Sequence, residues 1–265
     1  MQTAAISARQ ITPITPDQVA EVATAELEAS LALLTNLQDD DWTAPTDCVG
    51  WTVHEQTAHL VGQYQGLASP RVYLRRHWLA HRRYPALSRL DADNRQQIDD
   101  LGGHTGPELV ATLATIGPKA IRARRRVPGL LRRQRVGRMY PEEPLPDDRL
   151  GYVLDVLGLR DPWMHRVDIA RATRQQLLLG DHDRVITAQV VADLAQAWRG
   201  PPMLLELTGQ AGGSWTLGEG LPTATVQADA VDYLRALAGR NDYPDLRATG
   251  DPAAAAAATA ARVVF

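Results

Sequence analysis

Asp161 and His165 form the pair whose residue types and spacing best suit a metal ion. Side chains four residues apart on an α-helix lie on one face with neighbouring Cβ atoms, so this carboxylate and this imidazole can bind the same ion. Catalytic zinc commonly has three histidine or carboxylate ligands and one position left open for water or substrate. In helical bundles such ligands project inward from facing helices. The pair therefore predicts a metal site if another helix supplies a third ligand.

The same segment also allows a structural interpretation. Pro162 disfavours helical geometry at the preceding residue, so Asp161 could instead be the N-cap of a helix that starts at Pro162. The charged residues around the pair could form a solvated or salt-bridged helix face. These residues are Arg160, Arg166, Asp168 and Arg171.

Histidines elsewhere in the chain are the candidates for the third ligand. His59 lies in a run of small and apolar residues, where a lone histidine is more often a core residue than a ligand. His54 is five residues earlier, which turns it off that face. His77 and His81 form a second pair four residues apart, but the arginines around them predict a solvated, cationic surface. Those arginines are Arg71, Arg75, Arg76, Arg82 and Arg83.

Most of the chain before residue 200 is predicted to be helical. Alanine, leucine and valine are plentiful whereas phenylalanine occurs once, a composition that suits packed helices. Apolar residues recur at helical spacing behind a cap or a first-turn proline in several segments. Helices are expected to begin near Thr15, Thr52, Pro107, Asp148 and Asp181. The second helix carries His59 and is expected to extend toward His81, with Pro70 as its strong interruption.

The pattern changes after Gly200, where short segments alternate with glycine-rich turns. The predicted elements are strands at 203–207, 214–217 and 224–227, a helix at 230–238, a strand at 246–249 and an alanine-rich helix after Pro252. Helices followed by strands mixed with helices indicate a mainly α protein with an added α+β part. We therefore predict a helical bundle at residues 1–180 and a small α+β domain at residues 181–265.

Composition excludes several classes of protein. With Cys48 as the single cysteine, the chain can form neither an intramolecular disulfide nor a multi-cysteine zinc site, so a metal must use histidine and carboxylate ligands. The N-terminal segment lacks the features of a secretory signal, and no segment has the roughly 18 uninterrupted apolar residues of a membrane span. We expect a cytoplasmic protein with no membrane partner.

Nucleic-acid binding is an alternative function that the sequence leaves open. The formal net charge of -3 argues against a surface that attracts nucleic acid as a whole. Eight arginines could still contact phosphates, although no aromatic residue lies among them. They are Arg122, Arg124, Arg125, Arg126, Arg132, Arg133, Arg135 and Arg138. They could instead form a rim that attracts an anionic substrate.

Two segments resemble the signature segments of the mycothiol-dependent maleylpyruvate isomerase family. They are residues 47–53, which run into Ala58-His59-Leu60, and residues 160–171. The C-terminal part resembles the second domain of that family at residues 212–215, 237–240 and 246–251. The resemblance covers nearly the whole chain and is least distinctive at residues 84–147. It implies a DinB-like four-helix bundle followed by an α+β domain.

The resemblance also implies a set of site residues. It matches the family's metal ligands to His59, Asp161 and His165, and a functionally implicated arginine of the C-terminal domain to Arg240. The maleylpyruvate isomerase itself has glutamate at the Asp161 position. Aspartate is one methylene shorter, so the metal must lie closer to that helix. Arg240 could alternatively serve only as a cation at the end of the preceding helix.

The activity implied by the resemblance is a thiol addition. A divalent metal, expected to be zinc, would bind the thiolate of mycothiol, which attacks an electrophilic small molecule. An arginine could hold a carboxylate of an anionic substrate. If the thiol is eliminated after bond rotation, the enzyme is an isomerase. If the thiol stays bound to the product, the enzyme is an S-transferase. A bundle that binds metal or ligand without turnover is the alternative, because a shared fold does not guarantee a shared reaction.

Overall fold

The structure is a computed structural model that describes residues 5–139, 145–240 and 245–265. The chain divides into two compact units. One comprises residues 15–177 and the other combines the N-terminal segment up to residue 14 with residues 178–265. The prediction that the bundle starts at residue 1 is therefore corrected, because Ile6–Ser7 pairs in parallel with Trp215 and Thr216 of the second unit.

The first unit is a helical bundle with an irregular connection before its last helix. Its helices are α1 Pro16–Thr35, α2 Val53–Ala68, α3 Pro70–Arg83, α4 Arg89–Leu101, α5 Gly106–Arg125, α6 Gly129–Arg132, α7 Leu150–Tyr152 and α8 Gly158–Ala172. Thr15, Thr52 and Thr105 cap α1, α2 and α5, and in each case the third residue of the helix completes a capping box. Pro70 separates α2 from α3 because it lacks the amide hydrogen that would continue α2.

The core of the bundle forms around α2, which packs against α4, α5 and α8. Leu60 of α2, Leu109 and Leu113 of α5, and Trp163 of α8 are buried. Burial of one leucine side chain stabilises the fold by about 1.5–3 kcal/mol. The packing therefore fixes the relative positions of α2 and α8, the two helices that carry His59, Asp161 and His165.

Pro162 lies inside α8, which begins four residues earlier at Gly158. A π-helical turn at Val153–Leu157 leads directly into α8. Because proline has no amide hydrogen to donate to the carbonyl four residues before it, the Gly158 carbonyl is available to accept from Arg124 Nη1 at 3.0 Å. Asp161 is therefore not the N-cap of a helix beginning at Pro162, and that structural interpretation is wrong.

The second unit contains α9 Asp181–Ala197, a five-stranded sheet and two further helices. Its elements are β1 Ile6–Ser7, β2 Met203–Thr208, β3 Gly213–Leu217, β4 Ala224–Asp229, α10 Ala230–Leu237, β5 Arg247–Gly250 and α11 Pro252–Ala260. The strand order is β1-β3-β2-β4-β5. β2 pairs antiparallel with β3 and parallel with β4. Buried residues alternate along β2 and β4, as expected for strands with one face on a core.

The fold class predicted from sequence, mainly α with an added α+β unit, is confirmed. Within the described residues, no helix has the length and apolar character needed to span a membrane.

Candidate metal centre

The structure brings His59, Asp161 and His165 together, and we call these three residues the His59 cluster. His59 extends from the second turn of α2, and the other two from successive turns of α8. Asp161 places Oδ2 3.7 Å from His59 Nε2 and Oδ1 3.3 Å from His165 Nε2. One donor atom from each residue lies within 4.8 Å of the other two. A single ion can therefore be reached by all three side chains.

The donor separations match the edges of a metal coordination shell. In tetrahedral zinc with bonds of about 2.0–2.1 Å, adjacent donor atoms are about 3.3–3.4 Å apart. The observed separations of 3.3 and 3.7 Å are close to this value. In addition, His165 Nε2 is buried and makes no hydrogen bond to any part of the chain that the structure describes. A metal ion would satisfy this atom, so the donor set fits a divalent ion of the zinc type.

Burial makes the cluster asymmetric. His59 and His165 are 2% and 5% exposed, whereas the side chain of Asp161 is 26% exposed. The ring of Trp51 lies beside both imidazoles, with its centroid 5.1 Å from that of His59 and 6.1 Å from that of His165. Solvent therefore reaches the cluster on the side of Asp161, where an open coordination position would be accessible.

The three groups also set each other's charge state. Burial lowers the pKa of His59, and this effect outweighs the favourable influence of Asp161. Burial alone would raise the pKa of Asp161, but the two imidazoles hold that pKa well below its usual range. Burial would lower the pKa of His165, but the Asp161 carboxylate and contact with Cys48 raise it to about 10. Without a metal, the cluster thus consists of a carboxylate, a neutral His59 and a protonated His165.

Two glutamines of α2 contact the ligand side chains. Gln63 Nε2 donates a hydrogen bond of 2.8 Å to Asp161 Oδ2. Gln56 is fully buried, with Nε2 2.6 Å from His165 Nδ1 and 3.1 Å from Asp168 Oδ2. These contacts restrain the Asp161 carboxylate and the His165 imidazole. Such outer partners orient metal ligands and tune their affinity.

The sequence interpretation missed these outer partners, although helical spacing offered a signal. Gln56 and Gln63 lie three residues before and four residues after His59, which places all three on one face of α2. Asp168 likewise follows His165 by three residues. The solvated helix face proposed for this segment is wrong for Asp168, which is fully buried, whereas Arg171 is exposed and lies 3.5 Å from Asp47. The salt-bridged alternative holds for Arg166, which is 2% exposed and pairs with Glu26 of α1 at 2.8 and 2.9 Å.

Arg240 lies in the second unit, directly after α10. The Arg240 amide donates to the Arg235 carbonyl, and the Gly239 amide donates to the Ala236 carbonyl, both at 3.0 Å. Gly239 has a φ of 77°. This is a Schellman motif, in which glycine adopts the left-handed conformation and ends the helix. The backbone of Arg240 therefore helps to end α10. These backbone hydrogen bonds do not test the predicted role of the Arg240 side chain in substrate binding.

Two of the eight arginines of the basic segment 122–138, Arg124 and Arg132, make contacts inside the bundle. Arg124 is 4% exposed and donates to the carbonyls of Leu154 and Gly158. Arg132 pairs with Asp155 and also donates to two backbone carbonyls. These internal contacts argue against a continuous phosphate-binding surface.

A concavity of about 600 Å³ opens beside the N-terminal end of α2, and its lining includes none of the three predicted ligands. Arg95 lies in this concavity and is held by Asp99 at 2.8 Å and by Glu55 at 4.0 Å. Because the positive charge of Arg95 is paired with these carboxylates, the concavity is a weaker candidate than the His59 cluster for the binding site of an anionic substrate.

Comparison with models of known families identifies the family of this chain. Residues 23–170, more than half of the chain, match the model of the mycothiol maleylpyruvate isomerase N-terminal domain. The chain belongs to this family. Residues 181–257 match the model of its C-terminal domain, described as the MDMPI C-terminal domain. The family predicted from the segments around His59 and His165 is thereby confirmed.

Solved structures of the mycothiol maleylpyruvate isomerase family share the fold of this chain. The crystal structure of the mycothiol-dependent maleylpyruvate isomerase is 16% identical, has a TM-score of 0.58, and the match covers 90% of this chain and 95% of that chain. A histidine-to-alanine mutant of that isomerase matches with a TM-score of 0.56 at the same identity and coverage. No curated protein sequence matches the chain.

Proposed function

We propose that this protein is a metal-dependent enzyme in which mycothiol adds through its thiol to an electrophilic small molecule. The observation that carries the proposal is the convergence of two imidazoles and one carboxylate on a single point with one accessible side. Family membership supports mycothiol as the thiol, because mycothiol dependence is part of the description of the related isomerase.

Each residue of the centre has a defined task in this proposal. His59, Asp161 and His165 would hold the ion, while Gln63 fixes the carboxylate. Gln56 Nε2, 2.6 Å from His165 Nδ1 and 3.1 Å from Asp168 Oδ2, would help to orient the imidazole. A divalent ion at this position would lower the pKa of a thiol or water and would polarise a carbonyl group.

The thiol addition allows two outcomes. The sulfur of mycothiol forms a bond to an electrophilic carbon conjugated to a carbonyl, and the electron pair of the double bond moves toward the carbonyl oxygen. Rotation about the resulting single bond, followed by loss of the same sulfur, returns the thiol and changes cis to trans geometry. Retention of the carbon–sulfur bond, with protonation of the substrate, gives an S-transferase. We propose Arg240 as the group that would hold a substrate carboxylate.

The proposal is tested by incubating the purified protein with mycothiol and a panel of electrophiles, including cis-unsaturated keto acids. Loss of free thiol identifies an S-transferase, and a change in substrate geometry at constant thiol identifies an isomerase. Elemental analysis of the same sample should find a divalent metal, which we propose to be zinc. His165→Ala should remove the ion of the His59 cluster and abolish activity, whereas the control His54→Gln should retain both, because His54 lies outside this cluster and its Nε2 donates to the His104 carbonyl. A metal-containing protein that turns over none of these substrates would instead indicate a binding protein.

A further inference from the structure

A second group of metal-binding side chains lies between α3 and α4, and we call His77, His81 and Asp93 the His77 cluster. The two histidines are on successive turns of α3, and Asp93 faces them from α4. His77 Nδ1 is 2.8 Å from Asp93 Oδ2, and His81 Nε2 is 3.9 Å from Asp93 Oδ1. One donor atom from each residue lies within 4.8 Å of the other two.

The solvated, cationic surface predicted around His77 and His81 holds for four of the five arginines, which are exposed, but the two histidines are partly buried. Their side chains are 19% and 29% exposed, and that of Asp93 is 8% exposed. Helical spacing brings the histidines together, but only the packing of α4 on α3 adds the buried carboxylate.

Three of the five arginines of α3 make contacts away from the His77 cluster. Arg76 donates to Asp100 at 2.9 Å and Arg83 lies 3.9 Å from Asp99. Arg82 lies over the Trp78 ring, 4.6 Å from its centroid. These contacts direct three positive charges away from the carboxylate and reduce their repulsion of a cation.

The His77 cluster repeats the arrangement of the His59 cluster. In both, one aspartate directs a different oxygen to each of two histidines. The separations of 2.8 and 3.9 Å lie on either side of the roughly 3.3–3.4 Å edge of a tetrahedral zinc site. Tyr73 stacks on His77 with ring centroids 5.7 Å apart, which restricts rotation of that imidazole. The cluster therefore offers three side-chain ligands for an ion whose bonds to such ligands are about 2.0–2.2 Å long.

We propose that the His77 cluster binds a second divalent metal ion, of the zinc, cobalt or nickel type, that ties α3 to α4. Two imidazoles with one carboxylate suit these borderline ions better than magnesium or calcium, which prefer oxygen ligands. Because such an ion binds the folded state, it would stabilise the bundle. The proposal is independent of the enzymatic one, since metal binding here requires neither mycothiol nor substrate.

Metal stoichiometry tests this proposal without an activity assay. Metal-free protein is titrated with cobalt(II) and zinc(II), followed by isothermal calorimetry and equilibrium dialysis with elemental analysis. We expect two ions per wild-type chain and one in His165→Ala. The double variant His165→Ala/His81→Gln should bind no ion. It keeps the contact between His77 and Asp93, so the packing of α3 on α4 should be preserved. The control His54→Gln should still bind two ions.

A second variant separates metal binding from a purely structural contact. Asp93→Asn keeps an acceptor for His77 but removes the carboxylate charge, so it should lower the stoichiometry from two to one. The metal-dependent rise in Tm of His165→Ala should likewise disappear when His81→Gln is added. An unchanged number of bound ions in folded His81→Gln and Asp93→Asn proteins, compared with the wild-type chain, would overturn the proposal.

Discussion

The charge states of His59, Asp161 and His165 determine when this site can accept an ion. Metal ligands must be deprotonated. His59 meets this requirement near neutral pH because burial lowers its pKa, and Asp161 meets it because the imidazoles keep its pKa low. His165 does not, because its pKa is raised to about 10 in the metal-free protein. Metal must therefore displace one proton from His165.

This competition predicts a pH dependence of metal affinity. Below pH 10 the bound proton opposes the metal, so affinity should rise about tenfold per pH unit between roughly pH 7 and 9. At still lower pH the loss should become steeper as His59, whose pKa burial lowers below the usual histidine value of about 6.5, also takes up a proton. Competition with a chelator of known affinity at a series of pH values measures the effect. An affinity that is constant from pH 5 to pH 9 would contradict a two-histidine site.

The hydrogen bond from Gln63 gives a second prediction at this scale. Gln63→Leu removes the donor that restrains Asp161 Oδ2 while keeping a side chain of similar volume. Metal affinity should fall about 10- to 100-fold, as is usual for loss of an outer partner. Zinc dissociation constants of this variant and of the His54→Gln control, measured at one pH, test the effect. Equal affinities for the two variants would show that Gln63 does not position the carboxylate.

At the scale of elements, the start of α8 depends on an arginine from α5. Pro162 and the π-helical turn before it interrupt the regular hydrogen bonds of the helix. Arg124 Nη1 donates to the carbonyls of Leu154 and Gly158 at 3.3 and 3.0 Å. Unsatisfied buried carbonyls are costly, so this contact stabilises the segment that presents Asp161 one turn after the irregularity.

Removing this arginine should destabilise the bundle. Arg124→Met keeps the aliphatic stem but loses the charged donor, and we expect the free energy of unfolding to fall by about 1.5–3 kcal/mol. The matched control is Arg122→Met on the same helix, where the side chain is exposed and the loss should stay within about 0.5 kcal/mol. Urea denaturation of both variants measures the difference. Equal stabilities would mean that the carbonyls of α8 do not need Arg124.

At the scale of the whole molecule, the chain combines a helical unit that carries the His59 cluster with an α+β unit that carries Arg240. The proposed task of Arg240, to hold a substrate carboxylate, remains to be tested. The Schellman motif requires only the backbone of Arg240, so substitution of its side chain can test this role without removing the hydrogen bonds that end α10.

Arg240→Ala should lower turnover and leave metal content unchanged, whereas His165→Ala should abolish turnover and remove the ion of the His59 cluster. If Arg240 acted only as a cation at the end of α10, its loss would cost about 0.3–1 kcal/mol of stability and leave turnover intact. Melting temperature, zinc content and activity of the two variants separate these cases. A fully active Arg240→Ala protein would exclude Arg240 from the substrate site.

Much of this architecture could be predicted from local sequence patterns. Thr15 and Thr52 mark helix starts because their side chains cap free backbone amides within the same turn. The change to alternating apolar residues after Gly200 predicted β2, β3 and β4 because strand periodicity is also local. The four-residue spacing of Asp161 and His165 placed both on one face of α8. The family followed from the segments that contain these residues.

Other features depend on contacts between residues distant in the chain, which only the tertiary structure decided. Ile6–Ser7 joins the sheet because it pairs beside β3, more than two hundred residues later. Pro162 remains inside a helix because Arg124 of α5 satisfies the carbonyl that the proline leaves unpaired. Asp93 joins His77 and His81 through the packing of α4 on α3. Helical and strand periodicity describe one element at a time, so partners supplied by a second element leave no regular spacing in the sequence.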